Sequence, residues 1–222
     1  MLSPTAPNAQ IMPSPSGTKK QVKQMLDGRL RRAKKIRNKK FKEIMKSIIA
    51  ISGKSGSGNT SVSTMVANKM NYILVNYTFR QLADKNGITF EEMLEKAIND
   101  SSFDKQLDQE QIKLASKGNC VLGSRLAIWL MKNKAYTVYL NAKKETRIRN
   151  ILKREKTSYE DIEEFTLKRD RNDHERYLKL YGINNDDYEF ADLIIETDDL
   201  SIEEIAEKII TNFKRIEENK IK

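Results

Sequence analysis

The sequence predicts an α/β fold built on a parallel five-stranded sheet with helices on both faces. Three observations carry that expectation. From Lys46 onward, short apolar runs alternate with segments of helical period. The apolar runs are nearly uniform, as strands covered on both faces of a parallel sheet require. The first run passes straight into a glycine-rich loop and then a helix, which is the layout of a backbone anion site.

Taken in order, the strands are Ser47–Ser52, Tyr72–Val75, Cys120–Gly123, Thr137–Asn141 and Leu193–Glu196. Between and after them the helical patterns cover Thr60–Met70, Phe79–Asn86, Phe90–Asn99, Phe103–Lys117, Arg125–Asn133, Lys143–Lys156, Tyr159–Tyr181 and Ile202–Ile216. Ser201 and Glu204 stand at capping-box spacing ahead of the last helix. Parallel strands joined through helices imply right-handed crossovers. No internal repeat is visible.

Composition limits the function classes. The 222 residues suffice for one sizeable domain, and with 38% hydrophobic and 32% charged residues the balance is that of a globular chain. No apolar run approaches the roughly 20 residues that span a bilayer, and the N-terminus lacks the basic-then-apolar pattern of a secretory signal. Cys120 is the only cysteine, so a disulfide framework is excluded and a cytoplasmic setting is expected. A single His and a single Cys leave no set of ligands for a usual zinc site. The chain is read as a monomer.

The net charge of +10 is unevenly placed. Residues 1–47 hold 13 Lys/Arg against two acids, whereas the rest hold 28 basic and 29 acidic side chains. Residues 1–45 therefore read as a basic extension and residues 46–222 as the domain. All four prolines fall in residues 1–18, a stretch too poor in large apolar groups to order itself. Residues 19–46 have the pattern of a basic helix interrupted near Gly28. That segment is either an arm for RNA or another anionic surface, or a solvated tail. Met45, just ahead of the first strand, is a further reading of where the chain starts.

"GKSGSGNTS", residues 53–61, fits the phosphate-loop pattern G-x-x-x-x-G-K-[ST] at Gly53, Gly58 and Thr60, with Asn59 in the lysine position. Glycines let successive N–H groups converge on an anion, and the following helix adds its positive end. Gly53, Lys54, Ser55, Gly56, Ser57, Gly58, Asn59, Thr60 and Ser61 are thus the candidate triphosphate cradle, with the Thr60 hydroxyl available to Mg²⁺. Asn59 can donate a hydrogen bond but cannot neutralise charge, and Lys54 in the same loop is the candidate replacement. The glycine spacing is not the dinucleotide fingerprint. The plainer reading is a Gly/Ser turn joining strand to helix.

In "RDRNDHER", Arg169, Asp173 and Arg176 stand four and seven residues apart, within about 40° on one helix face. Two guanidiniums around a carboxylate can clamp a phosphate while the acid takes a sugar hydroxyl. From spacing alone, an exposed helix laced with ion pairs is the simpler account. Arg80 and Arg125 each follow a strand, where ligands of open α/β sheets collect. Trp129 reads as core packing, and His174 as a solvated side chain.

These pieces resemble the cytidylate kinase family over residues 47–213. The likeness rests on "IIAISGKSGSGNTSVS", "DKQLDQEQIKLASKGNCVLGSRLAIWL", "RDRNDHERY" and "ADLIIETDDLSIEEIAEKI". It implies a three-layer P-loop nucleoside monophosphate kinase fold, with a helical NMP-binding segment and a lid. The implied reaction, in pyrimidine nucleotide metabolism, passes a phosphoryl group from ATP, with Mg²⁺, to CMP or dCMP. By the resemblance, Arg80, Arg125, Arg169, Asp173 and Arg176 bind the monophosphate, and Arg147 and Arg154 are lid arginines. Lys54, Arg154, Arg169 and Arg176 would act on the transferring group. Asn59 and Gly123 depart from the family pattern, which usually carries Lys and Asp or Glu there, although a G-N-T loop does occur among relatives. Two alternatives follow from the departures and the basic arm: a nucleotide-binding protein without effective catalysis, or an RNA-associated protein.

Overall fold

The computed structural model describes residues 23–32, 47–155 and 157–219. The chain divides into two compact units, residues 1–41 and 42–222. In the first unit, residues 23–32 form helix α1, whose side chains are exposed. The helix runs through Gly28 without the expected interruption. The remaining expectations for residues 1–46 lie outside the described residues.

The second unit is the predicted α/β sandwich. Strands β1 (Ile48–Gly53), β2 (Ile73–Val75), β3 (Cys120–Gly123), β4 (Tyr136–Asn141) and β5 (Leu193–Glu196) form one sheet in the order β2-β3-β1-β4-β5. Every pairing is parallel. Helices α2 (Asn59–Met70), α3 (Phe79–Asn86), α4 (Phe90–Asn99), α5 (Ser102–Ala115), α6 (Ala127–Leu130), α7 (Lys144–Leu152), α8 (Tyr159–Tyr181) and α9 (Ile202–Asn219) complete it.

The strand pleat sorts the core into two layers. Ile49 and Ile51 of β1 join Val138 and Leu140 of β4 under α2 and α9, packed by Val62, Val66, Ile205 and Ile209. Ile48 and Ala50 point the other way, onto Leu122, Ala115, Ile128 and Met131. Of the central strands, β1 is buried along its whole length, and β3 and β4 in all but their last residue. The edge strands β2 and β5 are more exposed, since each has a neighbour on one side only. A smaller cluster of Leu82, Ala83 and Met93 holds α3 to α4, and Ile148, Ile151 and Ile162 hold α7 to α8.

Local chemistry sets the helix ends. Thr78 with Gln81 and Thr89 with Glu92 close capping boxes on α3 and α4. Ser201 and Glu204 do the same for α9, as predicted. Helix α6 is shorter than the expected Arg125–Asn133, because Ser124–Leu126 turn off the strand and Asn133 takes a left-handed φ of 62°. Trp129 packs edge-on against Tyr139 and Phe190, its indole N–H donating to the Asp187 carbonyl at 3.1 Å, which bears out the core reading.

In this strand order the chain turns from one side of β1 to the other between β3 and β4. Ligands of open parallel sheets collect at the carboxyl ends beside such a reversal. The loops after β1, β2 and β3 all open there, into one cleft of about 780 Å³.

Candidate active site

The glycine-rich loop forms one wall of the cleft. Gly56 (φ 85°) and Gly58 (φ 89°) sit in the left-handed region, where glycine alone is unstrained. A Cβ on Gly56 would lie 2.5 Å from the Arg147 carbonyl oxygen, so the loop rests directly on α7. Two side chains of that helix fasten it from beneath. Arg147 donates to the Ser55 carbonyl at 3.1 Å, and Asn150 donates to the Gly56 carbonyl at 3.0 Å. Gly58 caps α2 without any side-chain acceptor, leaving the positive end of a twelve-residue helix facing the cleft.

Two side chains of the loop, Asn59 and Lys54, are committed to the protein itself. Asn59 Oδ1 accepts from the Ser63 hydroxyl at 3.0 Å. A Cβ at Gly123 would meet that same hydroxyl at 2.5 Å. The two departures from the family pattern are therefore neighbours, joined through Ser63, and a carboxylate side chain at 123 would collide with it. Lys54 extends away to Asp186, Nζ to Oδ1 2.7 Å, and His174 Nδ1 lies 3.3 Å from the other carboxylate oxygen. Lys54 holds the Asp186 carboxyl below its usual range. His174 is thus no bystander: it also meets Asn185 Oδ1 at 3.0 Å.

Helix α8 builds the facing wall. Asp173 is buried, paired with Arg125 and 3.5 Å from Arg176. Arg176 reaches on to Asp104 at 3.1 Å. Arg169 lines the cleft beside them, and among the described residues no carboxylate lies within ion-pair distance of it. Burial, with the Arg125 charge nearby, lowers its pKa. Burial also lowers the tendency of Arg176 to hold its proton, but Asp104, Tyr177 and Asp173 outweigh that and raise its pKa. The spacing of Arg169, Asp173 and Arg176 therefore does bring them together: Arg169 and Arg176 line the cleft, and buried Asp173 pairs with Arg176 and Arg125.

Two of the expected arginines lie elsewhere. Arg147 is 5% exposed and holds Asp170 with both terminal nitrogens, at 3.1 and 2.6 Å. A guanidinium committed to a half-buried carboxylate and a loop carbonyl braces the glycine-rich loop from beneath. Arg80 stacks on the Phe90 ring at 4.3 Å, exposed and away from the cleft lining. Arg154 does line the cleft, exposed at its rim.

Sequence reasoning missed Asn150, Asp170 and Asp186, whose roles arise from contacts across the fold. It also missed Asp104, Asp108 and Gln111 of α5, which line the cleft at spacings of four and seven residues. That spacing, the same as in α8, was the available signal.

The profile of the cytidylate kinase-like family matches residues 48–199, most of the chain. The chain belongs to the cytidylate kinase-like family. A cytidylate kinase 2 of Borreliella afzelii is 43% identical over 165 residues, covering 72% of this chain and 93% of the relative. A cytidylate kinase of Sulfurisphaera tokodaii is 37% identical over 167 residues, covering 73% and 92%. Among solved structures, an uncharacterized protein from Eubacterium ventriosum superposes with a TM-score of 0.56 at 16% identity, covering 75% of this chain and 98% of that one. The shikimate kinase of Acinetobacter baumannii gives 0.51 at 21% identity, covering 79% and 96%, which is a likeness of fold. The fold is thus the P-loop nucleoside monophosphate kinase α/β fold, and this family member is a nucleotide kinase, a nucleotide-binding transferase.

Proposed function

We propose that the protein transfers the terminal phosphoryl group of ATP to CMP or dCMP. The observation that carries this reading is a single cleft with two unlike walls. One is a backbone cradle at a helix N-terminus. The other is a cluster of arginines around a buried aspartate. The names of the relatives supply the acceptor.

On the donor side, the N–H groups of the loop and the positive end of α2 hold the phosphates, while Arg147 and Asn150 fix the cradle's shape. On the acceptor side, Arg125 and Arg169 take the monophosphate, and Asp173 offers its remaining lone pairs to a sugar hydroxyl. Arg154 stands at the rim to meet charge on the group in flight. Positioning and charge neutralisation supply most of such catalysis, so no strong general base is required.

Mg²⁺ fits as an ion carried on the triphosphate. Thr60 lines the cleft and would hold it, and among the described residues no group of three His, Cys, Asp or Glu forms a resident site. When bound, the ion spreads the phosphate charge. Lys54 reaches the phosphates only by leaving Asp186, so its part in the reaction is secondary. The buried thiol of Cys120, its pKa pushed up to about 11 by burial, suits a reducing cytoplasm. No helix among the described residues is long and apolar enough to cross a membrane.

ADP formation by the purified protein, with ATP–Mg²⁺ and CMP, dCMP, UMP or AMP in turn, tests the reading. Turnover with CMP or dCMP is expected. Binding of nucleotides with no turnover for any acceptor would overturn it.

A further inference from the structure

The acceptor end of the cleft continues past the arginines into a wall that the mechanism above does not use. Asp104, Asp108 and Gln111 stand four and seven residues apart on α5 and line the cleft together. Arg176 joins this wall to the phosphate cluster, with one nitrogen 3.1 Å from Asp104 and another 3.5 Å from Asp173. A path therefore runs from cationic Arg125 and Arg169, through Asp173 and Arg176, to carboxylates. A nucleoside monophosphate has the same polarity, phosphate at one end and base at the other.

The chemistry of this wall is one-sided. Ionised carboxylates only accept hydrogen bonds. Gln111 is 4% exposed, and its amide nitrogen donates to the Tyr77 carbonyl at 2.9 Å, which turns its carbonyl oxygen the other way. Among the described residues that oxygen has no partner, and a buried acceptor left unmatched is costly. Asp108 accepts from the Tyr181 hydroxyl at 2.5 Å, and each carboxylate keeps lone pairs to spare. Burial raises the pKa of both acids, Asp104 against the pull of Arg176, so both gain from a donor placed against them.

We infer that Asp104, Asp108 and Gln111 form the pocket that reads the acceptor's base, selecting a pyrimidine edge that donates an amino group over one that presents a carbonyl. The inference rests on the proposed acceptor reading and deepens it. Cytosine carries the exocyclic amine and uracil the carbonyl at the same ring position. An acceptor wall pairs with the first and faces the second lone pair to lone pair. An aspartate accepting from that amine is a known mode of cytosine recognition.

The test is equilibrium binding of CMP and of UMP to the full chain and to Asp104→Asn, Asp108→Asn and Gln111→Leu, with a thermal melt of each variant as a check on folding. The wild type is expected to favour CMP, and the variants to shrink the CMP-to-UMP affinity ratio by about tenfold. Asp108→Asn is the cleanest, because Asp104 also pairs with Arg176. Unchanged ratios in folded variants overturn the assignment, as does a wild type that binds CMP and UMP equally. Either result leaves the kinase reading standing. A wild type that binds no nucleoside monophosphate overturns both.

Discussion

On the proposed reading, the two walls of the cleft bind by opposite means. The donor wall keeps the charges of its loop and brace to itself: Arg147 is spent on Asp170 and Ser55, and Lys54 on Asp186, while Asn59 Oδ1 accepts from Ser63. What it shows the cleft is chiefly backbone, shaped by Gly56 and Gly58, with Thr60 beside it. The acceptor wall shows side chains, with Arg125, Arg169 and Arg176 gathered from β3's exit and α8 about the buried Asp173. A backbone cradle needs no particular side chain at position 59. The difference therefore explains how a loop without its lysine keeps a working shape. It also divides the mutations that matter, conformational on one wall and chemical on the other.

The sharpest way to break the comparison is Gly56→Ala. The new methyl would sit at a φ of 85° and 2.5 Å from the Arg147 carbonyl oxygen. Either the loop or α7 must move. Such strain costs about 1–3 kcal/mol, and a displaced cradle lowers turnover by about 10²-fold. Titration with ATP and steady-state kinetics should show the loss concentrated in the donor, with CMP affinity preserved. Unchanged ATP affinity would mean that side chains, not backbone, hold the triphosphate.

Arg169→Met probes the other wall. Arg169 is a half-buried cation beside Arg125, with no carboxylate within ion-pair distance among the described residues. Removing it should weaken CMP binding by about tenfold while leaving the melting temperature unchanged or higher, the usual trade between site and stability. Isothermal titration and a melt decide it. A lower melting temperature with intact CMP binding would make Arg169 structural.

The smallest effect belongs to Asp186→Asn, which releases Lys54. The folded pKa of Asp186 is depressed by Lys54, so its contribution is present above the ordinary carboxylate value near 4 and fades as pH falls through the lower folded value. Lys54 is half-buried but Asp186 is exposed, and the stability difference should stay small. Melts from pH 3 to pH 6 should show a small deficit in the variant that closes toward the acid end.

What the sequence made legible follows a physical line. Central strands such as Ile48–Gly53 announce themselves, because burial on both faces leaves an unbroken apolar run. Long helices such as Tyr159–Tyr181 carry enough turns for their period to show. Arg169, Asp173 and Arg176 were legible because one helix face brings them together. Arg147 was read as a lid arginine because its true partner, Asp170, and the Ser55 carbonyl meet it only through tertiary packing. The stacking of Arg80 on Phe90 was hidden for a like reason, since it spans two helices. The link from Asn59 through Ser63 to Gly123 joins two loops distant in sequence, and no pattern in either one discloses it.

The central claim is that the backbone cradle and the arginine wall hold a donor and an acceptor at once in a single cleft. Calorimetric binding of adenosine and cytidine joined through a five-phosphate bridge tests it most directly, against ATP and CMP as separate ligands. The account predicts one molecule bound per chain, far tighter than either nucleotide alone, and competition with both. Affinity no better than that of ATP, or displacement by only one of the two, would contradict it.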